Sequence, residues 1–141
     1  MCSSDLERSI EIYKKSIALD ESYVIAINNI GNALDHLHRY EESIPYHEKA
    51  IELDPTFHYA WMAKGRALTN LDRPEEGLEF IETSLELEDQ DPDYHEALAY
   101  CFVALGLFDK ARQILNWGLS VDGQHVPCWV ALGDVKLELN N

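Results

Sequence analysis

The 141-residue chain repeats itself every 34 residues, with no gap in the register. Ala26–Leu34 aligns with Ala60–Leu68, then with His95–Phe102 and with Trp129–Lys136. The stretches that follow repeat at the same interval, as Ser9-Ile10, Ser43-Ile44, Gly77-Leu78 and Ala111-Arg112. A chain of this kind builds a row of like units, each burying its apolar face against the next. Three places in the unit hold a small residue in every copy. They are Gly31, Gly65, Ala99 and Gly133; Ser9, Ser43, Gly77 and Ala111; and Ser16, Ala50, Ser84 and Gly118. Ala, Gly and Ser are only about a fifth of the chain, so their recurrence at all these places is a feature of the repeat rather than of composition. Between them the spacing is helical, through Tyr40, Ile44, His47 and Ile51, through Leu78, Ile81 and Leu85, and through Leu107, Ala111 and Ile114. Pro55 follows a helix end, and Pro74 sits in a first turn where its missing N–H costs nothing. Pro45 falls about a turn into its helix, early enough to limit the disruption.

The period and the small positions resemble the tetratricopeptide repeat, a unit of two antiparallel helices. The resemblance implies an all-α, right-handed α-solenoid of antiparallel helix pairs. It places a non-repeat leader at 1–5 and one repeat domain at 6–141. Within that domain, 6–23 is a half repeat holding a second helix, 24–57, 58–91 and 92–125 are full repeats, and 126–141 is a half repeat holding a first helix. In that phase the chain reads as a segment of a longer protein. Its end helices, Leu6–Leu19 and Val126–Leu139, would leave Ile10, Tyr13 and Ile17, or Trp129 and Leu132, partly uncovered and open to head-to-tail self-association. Some positions depart from the family pattern. Lys64 and Lys136 stand where large apolar residues are usual, and a stem along apolar neighbours with the charge in water would accommodate each. Only Pro55 keeps the terminal proline; Glu21, Asp89 and Gly123 stand elsewhere.

Composition narrows the function. The formal net charge is −15, which argues against a nucleic-acid backbone or an anionic membrane as partner, since both attract Lys/Arg clusters. Cys2, Cys101 and Cys128 form no Cys-x-x-Cys pair, and a reducing, cytoplasmic setting is the expectation. His36 and His38 are too close in sequence to share a helix face, so a solvated helix end is the expectation there. His95 stands where sister repeats hold Trp61 and Trp129, and reads as a packing residue. With no metal-ligand spacing, phosphate loop or nucleophile elbow, the chain is expected to be no enzyme and to need no cofactor or metal. Eleven acids lie between Leu71 and Glu96 against Arg73 alone. Glu75, Glu79, Glu82 and Glu86 share one solvated helix side, while Asp89, Asp91, Asp93 and Glu96 are nearer the next first helix and better placed for a partner.

In the family, the first helices line a concave groove. Carried onto this chain, that implies a peptide site at Asn28, Asn32, Tyr59, Met62, Arg66, Asn70, Asp93, Glu96 and Tyr100. Asn28 and Asn32 lie one turn apart and could bond an extended peptide backbone. Tyr59, Met62 and Tyr100 offer apolar contact. Arg66 is the natural partner for a ligand carboxylate. The carboxylate clamp that some family members use on chaperone tails is not expected. Of its residues only Asn32 remains, with Asn28, Ala63, Asp93 and Ala97 in the other places. The asparagine ladder of glycosyltransferase-associated repeats also fails, since its position reads Asn29, Ala63, Ala97 and Ala131. The partner expected is a protein or peptide.

Overall fold

The computed structural model describes residues 3–19 and 23–141, with the side chains of 16–19 left aside. Cys2 and Glu21, and the side chains of Ser16 and Ile17, lie outside the described residues. Among the described residues eight helices follow one another: α1 (Ser3–Leu19), α2 (Val24–His36), α3 (Tyr40–Leu53), α4 (His58–Asn70), α5 (Pro74–Leu87), α6 (Pro92–Ala104), α7 (Phe108–Val121) and α8 (Val126–Leu139). The first of these begins at Ser3, so the expected leader is already helical from its third residue.

Each helix packs on its neighbours in sequence, and α2, α4, α6 and α8 also touch one another in succession. No such contact links α1 to α3, α3 to α5 or α5 to α7 among the described residues. Helices α2, α4, α6 and α8 are therefore crowded together while the others splay apart, and a stack built that way curves with the crowded set inside. Apolar clusters run through it. The largest spans α5–α8 around Ile81, Tyr94 and Leu115; two further ones hold Ile10, Ile30 and Leu34, and Ile27, Ala50 and Ala60. Ile81 and Leu115 are fully buried, each contributing roughly 1.5–3 kcal/mol.

The turns inside the pairs share one device. His38, Asp72 and Gly106 each take a left-handed backbone, with φ of 58°, 61° and 72°. The following N–H, of Arg39, Arg73 or Leu107, donates back to the carbonyl of Leu34, Leu68 or Phe102. This is the paired closure that satisfies the last carbonyls of a helix. Arg39 and Arg73 then grip the first turns of α3 and α5, with two bonds each to Glu42 and Glu76 at 2.6–2.9 Å. Those guanidinium groups hold both carboxyls below their usual range.

The small positions are contact points. A Cβ on Gly31 would meet the His47 ring, one on Gly65 would meet Ile81, and one on Gly77 the Gly65 carbonyl oxygen at 2.6 Å. A Cβ on Gly118 would meet His95 and Cys128, whereas one on Gly133 would meet nothing within 4 Å. The buried Ser43 and Ser84 hydroxyls donate within their own helices, to Tyr40 and Ile81 carbonyls at 2.9 and 2.7 Å. Lys64 corrects the expectation of a charge in water. Its side chain is only 14% exposed, and Nζ pairs with Glu48 at 2.9 Å. It also lies over the Phe80 ring, 4.0 Å from the centroid, so an aromatic face and a carboxylate together replace the usual apolar contact. Lys136 is exposed.

Candidate functional site

The inner face of α2, α4, α6 and α8 carries two clefts of different chemistry. The first, about 450 Å³, lies between α2 and α4. It is lined by Asn32, Asp35, His36, Met62, Arg66 and Asn70, with His38 and Tyr40 at its end. The one-turn spacing of Asn32 and His36, and of Met62, Arg66 and Asn70, puts these side chains on the inner stripe of their helices. Arg66 is exposed. Arg39, Arg73 and Arg112 are each paired with a carboxylate, while Arg66 pairs with none among the described residues. An exposed guanidinium with no carboxylate partner is able to pair with one in a fork of two hydrogen bonds.

Farther along, Tyr59 and Tyr100 present rings that are 48% and 46% exposed. Tyr59 is steadied against Phe57, His58 and Tyr94, its ring centroid 4.2–6.2 Å from theirs. Behind it the Tyr94 hydroxyl lies 2.5 Å from His58 Nδ1, and burial pushes that phenol well above its usual range. Tyr100 reaches toward Asn70 across the groove, hydroxyl to Oδ1 at 3.4 Å. The second cleft, about 610 Å³, lies between α6 and α8 and takes Glu96 and Tyr100 into its wall.

Two of the expected groove residues are engaged elsewhere. Asn28 is buried, 2% exposed, and its side-chain oxygen lies 2.8 Å from His47 Nδ1. His47 Nε2 lies 2.9 Å from Asp35 Oδ2. A polar ring in the interior must be satisfied, and Asn28 and Asp35 do this from the neighbouring helix. Asn28 therefore holds α3 to α2 and faces no ligand. Asp93 is exposed, but its Oδ1 is bound to His125 Nε2 at 2.8 Å, a link from α6 to the residue preceding α8. Asp91 caps α6 through the Asp93 N–H. Glu88 and Asp89 accept from Gln90. Of the acids nearest the groove, Glu96 remains without a hydrogen bond or ion pair among the described residues.

Sequence reasoning missed His47 and Asp35 as a unit. The available signal was that residues 28, 35 and 47 are all polar, where the next repeat holds Met62, Thr69 and Ile81 at the same places. His95 is fully buried and donates from Nδ1 to the Asp91 carbonyl, 3.1 Å away. It lies edge-on to Trp117, and desolvation lowers its pKa. Trp61 and Trp129, at the equivalent place, donate from Nε1 to the carbonyls of Pro55 and Gly123, both at 2.9 Å. His36 Nδ1 lies 2.7 Å from the Asn32 carbonyl, and His38 Nδ1 is 2.8 Å from the Tyr40 hydroxyl. Among the described residues no three His, Cys, Asp or Glu side chains converge on a metal-sized point, and no helix is long and apolar enough to cross a membrane. Cys101 and Cys128 are buried free thiols, and desolvation pushes Cys128 up to about 11.

Models of the tetratricopeptide repeat match residues 24–57 and 58–91. Several solved structures share the fold. One is TTC0263, a thermophilic tetratricopeptide protein of Thermus thermophilus, with a TM-score of 0.87 at 18% identity over 95% of this chain and 74% of that one. Another is YrrB, a tetratricopeptide protein with an unusual peptide-binding site, at 0.74 and 23% over 98% of this chain and 71% of that one. The first tetratricopeptide domain of Spaghetti (RPAP3), bound to the HSP90 peptide SRMEEVD, gives 0.78 and 15% over 86% and 97%. No curated protein matches the chain.

Proposed function

Because the chain belongs to the tetratricopeptide repeat family, we propose that it is a non-enzymatic binding module taking a peptide along the concave face of one repeat domain, residues 6–141. The observation that carries this reading is Arg66, exposed and without a carboxylate partner in a cleft whose one acid, Asp35, is held by His47. A ligand carboxylate seats on its guanidinium, Asn32 and Asn70 are in place for ligand backbone, and Tyr59, Met62 and Tyr100 supply apolar contact. Asp93 stays tied to His125, so its role in the groove is to position α8. One solved structure of the same fold holds a peptide and another has a peptide-binding site, which supports a peptide as the class of ligand. A cytoplasmic setting accords with the buried free thiols.

The test is a peptide array probed with labelled protein. Arg66→Glu should cost on the order of tenfold or more in binding to carboxylate-bearing peptides, and Tyr100→Ala a similar factor, both with unchanged helicity. Full binding by both variants would overturn the proposal. A second reading rests on α8. Gly133 meets nothing where the sister glycines Gly31 and Gly65 are packed, and Trp129 is 53% exposed. A second copy could lay α1 on that face and complete a helix pair. Sedimentation across a concentration series separates the two readings, since a strict monomer at high concentration overturns stacking and leaves the groove untouched.

A further inference from the structure

The cleft between α6 and α8 differs in kind from the one around Arg66. Tyr100, Val103, Phe108, Val126 and Val130 give it apolar walls, and Val126 and Val130 are 67% and 59% exposed. Three carboxylates, of Glu96, Asp134 and Glu138, stand around it, and its lining includes no lysine, arginine or histidine. None of the three makes a hydrogen bond or ion pair among the described residues. Two features of this arrangement are unfavourable for the isolated chain. Asp134 and Glu138 are like charges one turn apart on the same face. Glu138 also lies in the last turn of α8, where the helix dipole favours a cation and opposes an acid. A bound cation would relieve both. Apolar walls edged by unpaired acids complement a segment that carries apolar residues between lysines or arginines.

We infer that the α6–α8 cleft is the seat for a basic amphipathic segment of a partner protein. Its apolar side chains enter between Tyr100 and Val130, and its flanking cations reach Glu96, Asp134 and Glu138. The inference rests on the peptide-binding reading of the concave face and assigns the ligand chemistry at its second cleft. The two clefts then read opposite charges, a carboxylate at Arg66 and cations at α8, which fixes the direction in which a ligand lies.

The test titrates three fluorescent peptides into the whole chain: a Leu/Lys amphipathic helix, its Leu/Glu counterpart, and a scramble of the Leu/Lys sequence. The scramble controls for general attraction of polycations to a chain of net charge −15. The Leu/Lys helix should bind, and the other two should bind at least about tenfold more weakly. Asp134→Lys combined with Glu138→Lys should weaken the Leu/Lys helix by about tenfold and bring in the Leu/Glu one. Val130→Asp should weaken the Leu/Lys helix about as much. All these positions are exposed, and helicity should be unchanged. Equal binding of the scramble, or indifference to the charge reversal, would overturn the inference. So would self-association abolished by the same reversal, because the occupant would then be a second copy. Retained binding of carboxylate peptides through Arg66, with no Leu/Lys binding, overturns this inference alone, whereas loss of both overturns the groove reading as well.

Discussion

Gly77→Val is expected to destabilise the protein by about 3 kcal/mol, a large share of the roughly 5–15 kcal/mol that holds a domain folded. The Cβ would arrive 2.6 Å from the Gly65 carbonyl oxygen and 2.6 Å from Thr69 Oγ1. The first of these is backbone and cannot turn aside. Relief requires α4 and α5 to separate, which opens the contacts around the buried Ile81 and Leu85. Gly133→Ala is the matched control. It sits inside α8 with nothing within 4 Å, so the substitution should stabilise by up to about 1 kcal/mol through helix propensity alone. Urea denaturation followed by circular dichroism measures both. Loss of stability of similar size at the two positions would mean that close helix approach is not what the small residues serve.

The second large effect is expected at Asp35. Removing its carboxylate by Asp35→Ala leaves the His47 ring without one of its two partners in the interior, at a cost of about 1–3 kcal/mol. His47→Ile alone should also destabilise, because it strands Asn28 and Asp35 together. The triple change Asn28→Met, Asp35→Thr and His47→Ile installs the set that the next repeat already uses, Met62, Thr69 and Ile81. Ile81 stands against Gly65 as His47 stands against Gly31. The triple variant should recover most of the loss, since replacing a whole polar network by a set that strands no buried partner is nearly neutral, and a threonine at 35 can donate within its own helix as Thr69 does. Stability lower than that of the worst single variant would show that the three residues do not act as a unit.

These two cases also mark what the sequence could and could not disclose. The period, the helix pairing and the close contacts were legible because each places a steric demand at a fixed interval, as Gly65 and Gly77 illustrate. The face assigned to Asn28 was not, because position in the repeat fixes only the direction of the Cα–Cβ bond. His47 on the neighbouring helix decided where the amide turned. Lys64 misled for a similar reason, since Phe80 and Glu48 approach it from α5 and α3. The left-handed residue of each turn shows as glycine only at Gly106 and was hidden at His38 and Asp72. The opposite character of the two clefts was equally unreadable. It depends on which side chains of alternate helices meet across the groove, and on which charges are already spent in pairs. Arg66 remains open, whereas Asp93 is bound to His125.

The most direct measurement of the central claim, that the concave face is where a ligand sits, is a ¹H–¹⁵N chemical-shift titration with a carboxylate-bearing peptide selected on the array. The largest shifts should gather at Asn32, Met62, Arg66, Asn70 and Tyr100, on helices α2, α4 and α6, and the Arg66→Glu variant should erase them. Shifts gathered instead on the acidic outer side of α5, around Glu75, Glu79 and Glu82, with the inner face unmoved, would contradict the account.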